Sequence, residues 1–372
     1  MSLSKALNTF AFDFLRALAT GEDNVFFSPL TIYVCLNAAA VGAIDQTAEE
    51  LFHGLRSDSA FDKLNQVHLS VGKAIEHWTK KSHPYIMYLA NKVLISSECT
   101  VREEYKRNVK EHYKTSVEEV DFINNTSDVL KSCNQWVDKT TNGMIKSILS
   151  SLKEDTLFII LNAVYFSGKW CTQFDPQLTS SKYFYNNDNE TQNIKVPTMF
   201  HESIHCRLYL INVADEEVDL LELPYLGNMC FTLLLPRNRN VLNKIIAKID
   251  FDSIQRKRMY ESKIELSLPK FRLETCYKLN DYLQALGIQN AFTPDANFSG
   301  ISETHQIFIS RVLHKAVIEV NEEGTEAAAV SAVVCDGPTR LSKKLVVDRP
   351  FIFYISDQSN DIILFIGRVN HL

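Results

Sequence analysis

The chain should adopt an α+β fold built on large mixed sheets. Its first third reads as helix, and the remaining two-thirds as strands at irregular spacing. One run, residues 157–166, is apolar without any alternation. A strand that is apolar on both faces has to be covered on both, so it belongs in the middle of a sheet with a layer above and below.

The elements follow in order. In residues 1–23, Leu3, Leu7, Phe10, Phe14 and Leu18 recur at helical spacing between Lys5, Asn8, Asp13 and Arg16. That pattern is an amphipathic helix, not a secretory leader. Residues 24–29 make a short strand and turn. A buried helix follows at 32–41, where Ala38, Ala39 and Ala40 permit close packing. Thr47 with Glu50 reads as a capping box opening the next helix. Further helices are expected at 101–113, 126–138, 241–249 and 279–286. Strands are expected at 86–95, 157–166, 217–223, 229–236, 263–268, 306–312, 316–320, 345–347, 351–356 and 362–369. No repeat or linker divides the chain, so residues 1–372 should form one domain.

Composition removes whole classes of function. Apolar residues make up 45% and charged residues 23% of the 372, close to globular averages, so disorder is excluded. A net charge of −6 exerts no long-range pull on nucleic acid or anionic lipid. No stretch approaches the roughly 18 apolar residues of a membrane span. The eight cysteines are scattered singly without a C-x-x-C pair, which suits reduced thiols in the cytoplasm. Sequons at Asn124, Asn125, Asn189 and Asn297 would accept glycans on a secretory route.

Catalytic signatures are missing: the sequence has no G-x-S-x-G, H-E-x-x-H, G-x-x-x-x-G-K-[ST] or G-x-G-x-x-G. His201 and His205 lie four apart beside Cys206, but no second cluster completes a metal site, and a solvated strand end is the better reading. Lys80-Lys81 and Arg256-Lys257-Arg258 are short basic runs that read as solvated faces, so polyanion binding is not supported. Neither an enzyme nor a cofactor is expected.

The informative stretch is 322–334: Glu322, Glu323, Gly324, Thr325, Glu326, Ala327, Ala328, Ala329, Val330, Ser331, Ala332, Val333, Val334. Laid out as a strand, one face carries Thr325, Ala327, Ala329 and Ser331, all small and uncharged. Such a face fits into a tightly packed sheet. The following segment, 335–344, is polar, turn-prone and should be exposed. A segment able to be helix, loop or strand is a candidate conformational switch.

These residues resemble the hinge of the serpins, the serine-protease inhibitor family, and the resemblance runs nearly end to end. Asn24-Val25-Phe26-Phe27-Ser28-Pro29 is similar to the family's opening signature. Trp136-Val137 with Thr141-Asn142-Gly143 and Ile145 follows it, with Met144 in place of lysine. Leu161-Asn162-Ala163-Val164-Tyr165-Phe166 with Gly168-Lys169-Trp170 matches a family strand, with Ser167 as a departure. Glu222-Leu223-Pro224-Tyr225, Leu268-Pro269-Lys270-Phe271, His314-Lys315 and Asp348-Arg349-Pro350-Phe351 fall in order. Asp45 and Arg349 replace the usual glycine and histidine.

The resemblance implies three mixed β-sheets, about nine helices and an exposed reactive-centre loop over about 322–345. It also implies a suicide mechanism. A protease attacks the loop, forms an acyl-enzyme, and is trapped when the cleaved loop enters the main sheet as a new strand. Lengths agree: residues 324–338 extended span about 50 Å, as does a compact body of this size with a radius of gyration of roughly 21 Å. The partner implied is a target protease, met one to one by a monomer. Counting by family spacing puts the scissile carbonyl on Pro338 or Thr339, but Arg340 is the chemical choice, because its guanidinium matches a carboxylate at the base of a trypsin-like pocket. Cleavage is therefore expected at the Arg340-Leu341 bond by trypsin-like proteases. The alternatives are an elastase-like or cysteine protease cutting nearer Val334-Thr339 (at Val334-Cys335 for the elastase-like case), and a non-inhibitory carrier or chaperone. Likeness to the ovalbumin-like group without a leader suggests a cytoplasmic protein with unconventional release as an outward route.

Overall fold

The computed structural model describes residues 3–79, 83–254, 261–304, 306–325 and 343–372. Among these are eight α-helices and two hydrogen-bonded sheets, an α+β arrangement. The six-stranded sheet runs Phe271–Lys278, Arg311–Val320, Phe158–Lys169, Tyr85–Ser96, Ser116–Val120, with the two-residue strand Gly324–Thr325 added on Phe158–Lys169. The nine-stranded sheet contains Asn193–Val213, whose 21 residues carry three ladders. It pairs with Ser180–Tyr185 at its start, with Glu261–Pro269 from Thr198 through a register shift between His201 and Ile204 to Arg207, and with Glu216–Pro224 from Arg207 to its end. One continuous strand thus joins what would otherwise be two of the three expected sheets.

Phe158–Lys169 sits in the middle of its sheet and is buried along almost its whole length. Phe158, Ile160, Val164 and Phe166 face the main core, while Ile159, Leu161, Ala163 and Tyr165 face a second one. The helix Thr126–Thr140 covers that second core with Val129, Cys133 and Val137. Each large apolar side chain so buried contributes about 1.5–3 kcal/mol, which accounts for a run that is apolar on both faces, broken only by Asn162.

The helix Leu3–Leu18 buries Leu7, Phe10, Phe14 and Leu18 on one stripe, as its spacing predicts. Behind the six-stranded sheet lies the helix Pro29–Ala40, all of it buried, capped by Ser28 and opened by proline.

Two expectations are corrected. Thr47 and Glu50 form no capping box, because the helix Asp45–Gly54 has already begun at Asp45, which takes a left-handed φ of +50°. Glu50 instead accepts the backbone N–H groups of Gln289 and Asn290 at 2.7 and 2.6 Å, and Thr47 that of Asn297. Distant backbone donors without helical partners won the carboxylate. The strands expected at 306–312 and 316–320 are one strand, Arg311–Val320, running straight through His314 and Lys315.

Candidate functional site

The chain leaves Arg311–Val320 through a tight turn in which Asn321 and Gly324 exchange backbone hydrogen bonds of 2.8 and 3.2 Å. Gly324 has φ +147°, and a Cβ on it would stand 2.0 Å from the carbonyl oxygen of Gly168. Only glycine fits so close an approach. Gly324 and Thr325 then pair antiparallel with Lys169 and Gly168 at the end of the central strand. Thr325 is 0% exposed, and its hydroxyl lies 2.8 Å from that of Tyr225. Tyr225 is buried too and stacks on Trp170 at 4.4 Å. Trp170 in turn donates its backbone N–H to the carbonyl of Glu323 and its indole N–H to that of Asn321, both at 3.0 Å.

Glu322, one turn earlier, fastens the same corner. Its carboxylate accepts from Thr179 at 2.7 Å and pairs with Lys270 at 2.7 Å. Burial alone would raise this carboxyl, but the bonds from Lys270 and Thr179 bring it below its ordinary range. Glu322→Gln keeps one hydrogen bond and leaves the ammonium unpaired. A loss of about 1–2 kcal/mol is expected, read as a melting temperature lowered by a few degrees in calorimetry. An unchanged melting temperature would remove Glu322 from the fastening.

A second latch lies further down between the strands Arg311–Val320 and Phe158–Lys169, which run parallel and pair directly. His314 and Asn162 are register partners there, and the imidazole Nδ1–H donates to the Asn162 amide oxygen. The other ring nitrogen accepts the backbone N–H of Ser28 at 3.1 Å. Asn162 also accepts from Thr31 at 2.8 Å and donates to Asn91, and Ser28 donates its hydroxyl to the carbonyl of Leu364 at 2.7 Å. Burial lowers the His314 pKa to about 3, so the ring is neutral at pH 7.

The sequence-predicted residues therefore divide. Glu322, Glu323, Gly324 and Thr325 stand together at the sheet's end, and Ser28, Asn162 and His314 form the lower latch, while Pro29 opens the helix Pro29–Ala40 beside it. Asn24 instead ties the first turn to the backbone of Asn370 and His371, and Thr141 closes the helix Thr126–Thr140 through bonds to Val137 and Ile145. Glu326, Ala327, Ala328, Ala329, Ser331, Val334, Cys335, Pro338, Thr339, Arg340 and Leu341 lie outside the described residues. The roles of Tyr225, Lys270, Thr179, Thr31 and Asn91 were missed. Tyr225 and Lys270 do stand in the motifs quoted above, but nothing in their spacing says what they touch.

A family model described as "Serpin (serine protease inhibitor)" matches residues 5–372. Serpin B3 of Homo sapiens is 32% identical, over 99% of this chain and 98% of that protein. Among solved structures, Serpin48, described as a highly specific serpin of the insect Tenebrio molitor, superposes with a TM-score of 0.89 at 29% identity, covering 99% of this chain and 98% of that one. Human thyroxine-binding globulin complexed with thyroxine gives 0.89 at 26% identity, with the same coverage.

Proposed function

We propose that this chain, which belongs to the serpin family, inhibits trypsin-like serine proteases by trapping them as acyl-enzymes at the Arg340-Leu341 bond. The protease serine attacks the Arg340 carbonyl; the bond to Leu341 breaks, and Leu341 leaves as a new amino terminus. The ester-linked loop then inserts between Phe158–Lys169 and Arg311–Val320, carrying the protease with it.

The observation that carries this reading is the placement of Thr325. It already pairs with the end of the central strand in antiparallel sense, which is the sense a chain turning straight back from Arg311–Val320 takes against two neighbours that are parallel to each other. The small, uncharged residues that follow on its face support continuation. The same reading has one monomer consume one protease in the cytoplasm.

Trypsin mixed with the chain and run on a denaturing gel tests it. The expected products are a covalent band near the summed mass and a released fragment beginning at Leu341. A fragment beginning nearer Cys335, or produced only by elastase-like or cysteine proteases, would overturn the target class. Cleavage at Arg340 without a covalent band would overturn trapping and favour the carrier reading, in line with the structural neighbour thyroxine-binding globulin, which is complexed with thyroxine.

A further inference from the structure

We propose that Tyr225 is a positioning residue for loop insertion: its hydroxyl holds Thr325 in the six-stranded sheet before any cleavage, so insertion starts from a rung already formed. The inference rests on the trapping reading above.

Starting a strand is its least favourable step, because the first residues are ordered before a ladder rewards them. Here two residues are already ordered, Gly324 against Lys169 and Thr325 against Gly168. Backbone pairing this short would fray unless a side chain fixed it. Thr325 and Tyr225 are both fully buried, so each hydroxyl needs a partner, and each finds the other at 2.8 Å. The aim of the phenol is fixed from three sides. Trp170 stacks on its ring at 4.4 Å and Phe166 meets it edge-on at 5.4 Å. The backbone N–H of Leu226 bonds the carbonyl of Lys169 at 2.7 Å, tying the tyrosine's turn to the end of the central strand. Burial pushes the phenol far above its ordinary pKa, so it remains a donor at every working pH.

A double-mutant cycle separates this role from general packing. Tyr225→Phe and Thr325→Val each strand one buried hydroxyl, whereas the double variant leaves two apolar groups of nearly the same shape. Amide hydrogen exchange of residues 324–325 in the uncleaved protein is the first readout. The wild type should be protected, each single variant should exchange about fivefold faster, and the double should return to within about twofold of wild type. The number of inhibitor molecules consumed per trypsin should follow the same pattern. Unprotected exchange in the wild type, single variants that match it, or a double no better than the singles would overturn the proposal. Exchange needs no protease, so a wild type that is protected yet forms no covalent complex would sink the trapping reading while the docking contact stands.

Discussion

Thr325→Arg is expected to convert the chain from a trap into a plain substrate. The native residue is 0% exposed and meets Tyr225 and the Gly168 rung, where even a Cβ on Gly168 would stand 3.2 Å from the tyrosine ring. A guanidinium has no room there, cannot shed its proton, and costs several kcal/mol when buried without a partner. The hinge would swing out to water, leaving the body of the fold intact and the loop still open to attack. After acylation two processes compete, insertion and deacylation, and every 1.4 kcal/mol added to the insertion barrier cuts trapping tenfold. A deficit of about 3 kcal/mol or more lowers the ratio of insertion to deacylation by roughly a hundredfold. The covalent band with trypsin should vanish while cleavage at Arg340 proceeds at the wild-type rate. Thr325→Ser, small and still able to bond Tyr225, should inhibit normally. A Thr325→Arg protein that trapped protease at wild-type stoichiometry would show that insertion does not pass through this rung.

What the sequence made legible was governed by local pattern. The apolar run at 157–166 could only be a strand covered on two faces, and the motif residues around the hinge and latch were named before their contacts were known. Three kinds of element escaped. Asn193–Val213 went unnoticed because Pro197, His201, Glu202, His205 and Arg207 interrupt its apolar residues, yet it holds as a strand by ladders on both edges. His314 and Lys315 looked like a break between two strands. The histidine is in fact buried with both nitrogens bonded, and the lysine pairs with Glu274 at 2.8 Å. Thr47 and Glu50 had the spacing of a cap, but their partners lie some 240 residues away in sequence. Periodicity reports burial and local bonding; it carries no information about which distant backbone donor will claim a carboxylate or which tyrosine will meet a hinge threonine.

Acid should open the sheet at the level of His314, and the sign follows from its two bonds. With Nδ1 donating to Asn162, the other ring nitrogen must present a lone pair to the Ser28 N–H, so protonation turns an acceptor toward a donor. Burial holds the folded pKa at about 3, against about 6.5 in an unfolded chain. Between those values the unfolded state binds more protons, so this contribution to stability is complete above about pH 6.5 and is lost as pH falls toward 3. Each pH unit inside the window costs about 1.4 kcal/mol, several kcal/mol across it. His68, half-buried and lowered to about 4, adds a slope of the same sign, and carboxylates join below about pH 4.5. His314→Gln can donate to Asn162 and accept from Ser28 without titrating. Denaturant unfolding of both proteins from pH 7 to 4.5 should therefore show wild-type stability falling faster, by about 1.4 kcal/mol per unit once below pH 6. Parallel curves would place the acid sensitivity elsewhere. The strands that His314 and Asn162 join are the two that the proposed insertion would part, so the protonated ring would strain the gap at that point. Amide exchange in Phe158–Lys169 and Arg311–Val320 should rise on acidification before exchange in the nine-stranded sheet does, and in the wild type more than in His314→Gln.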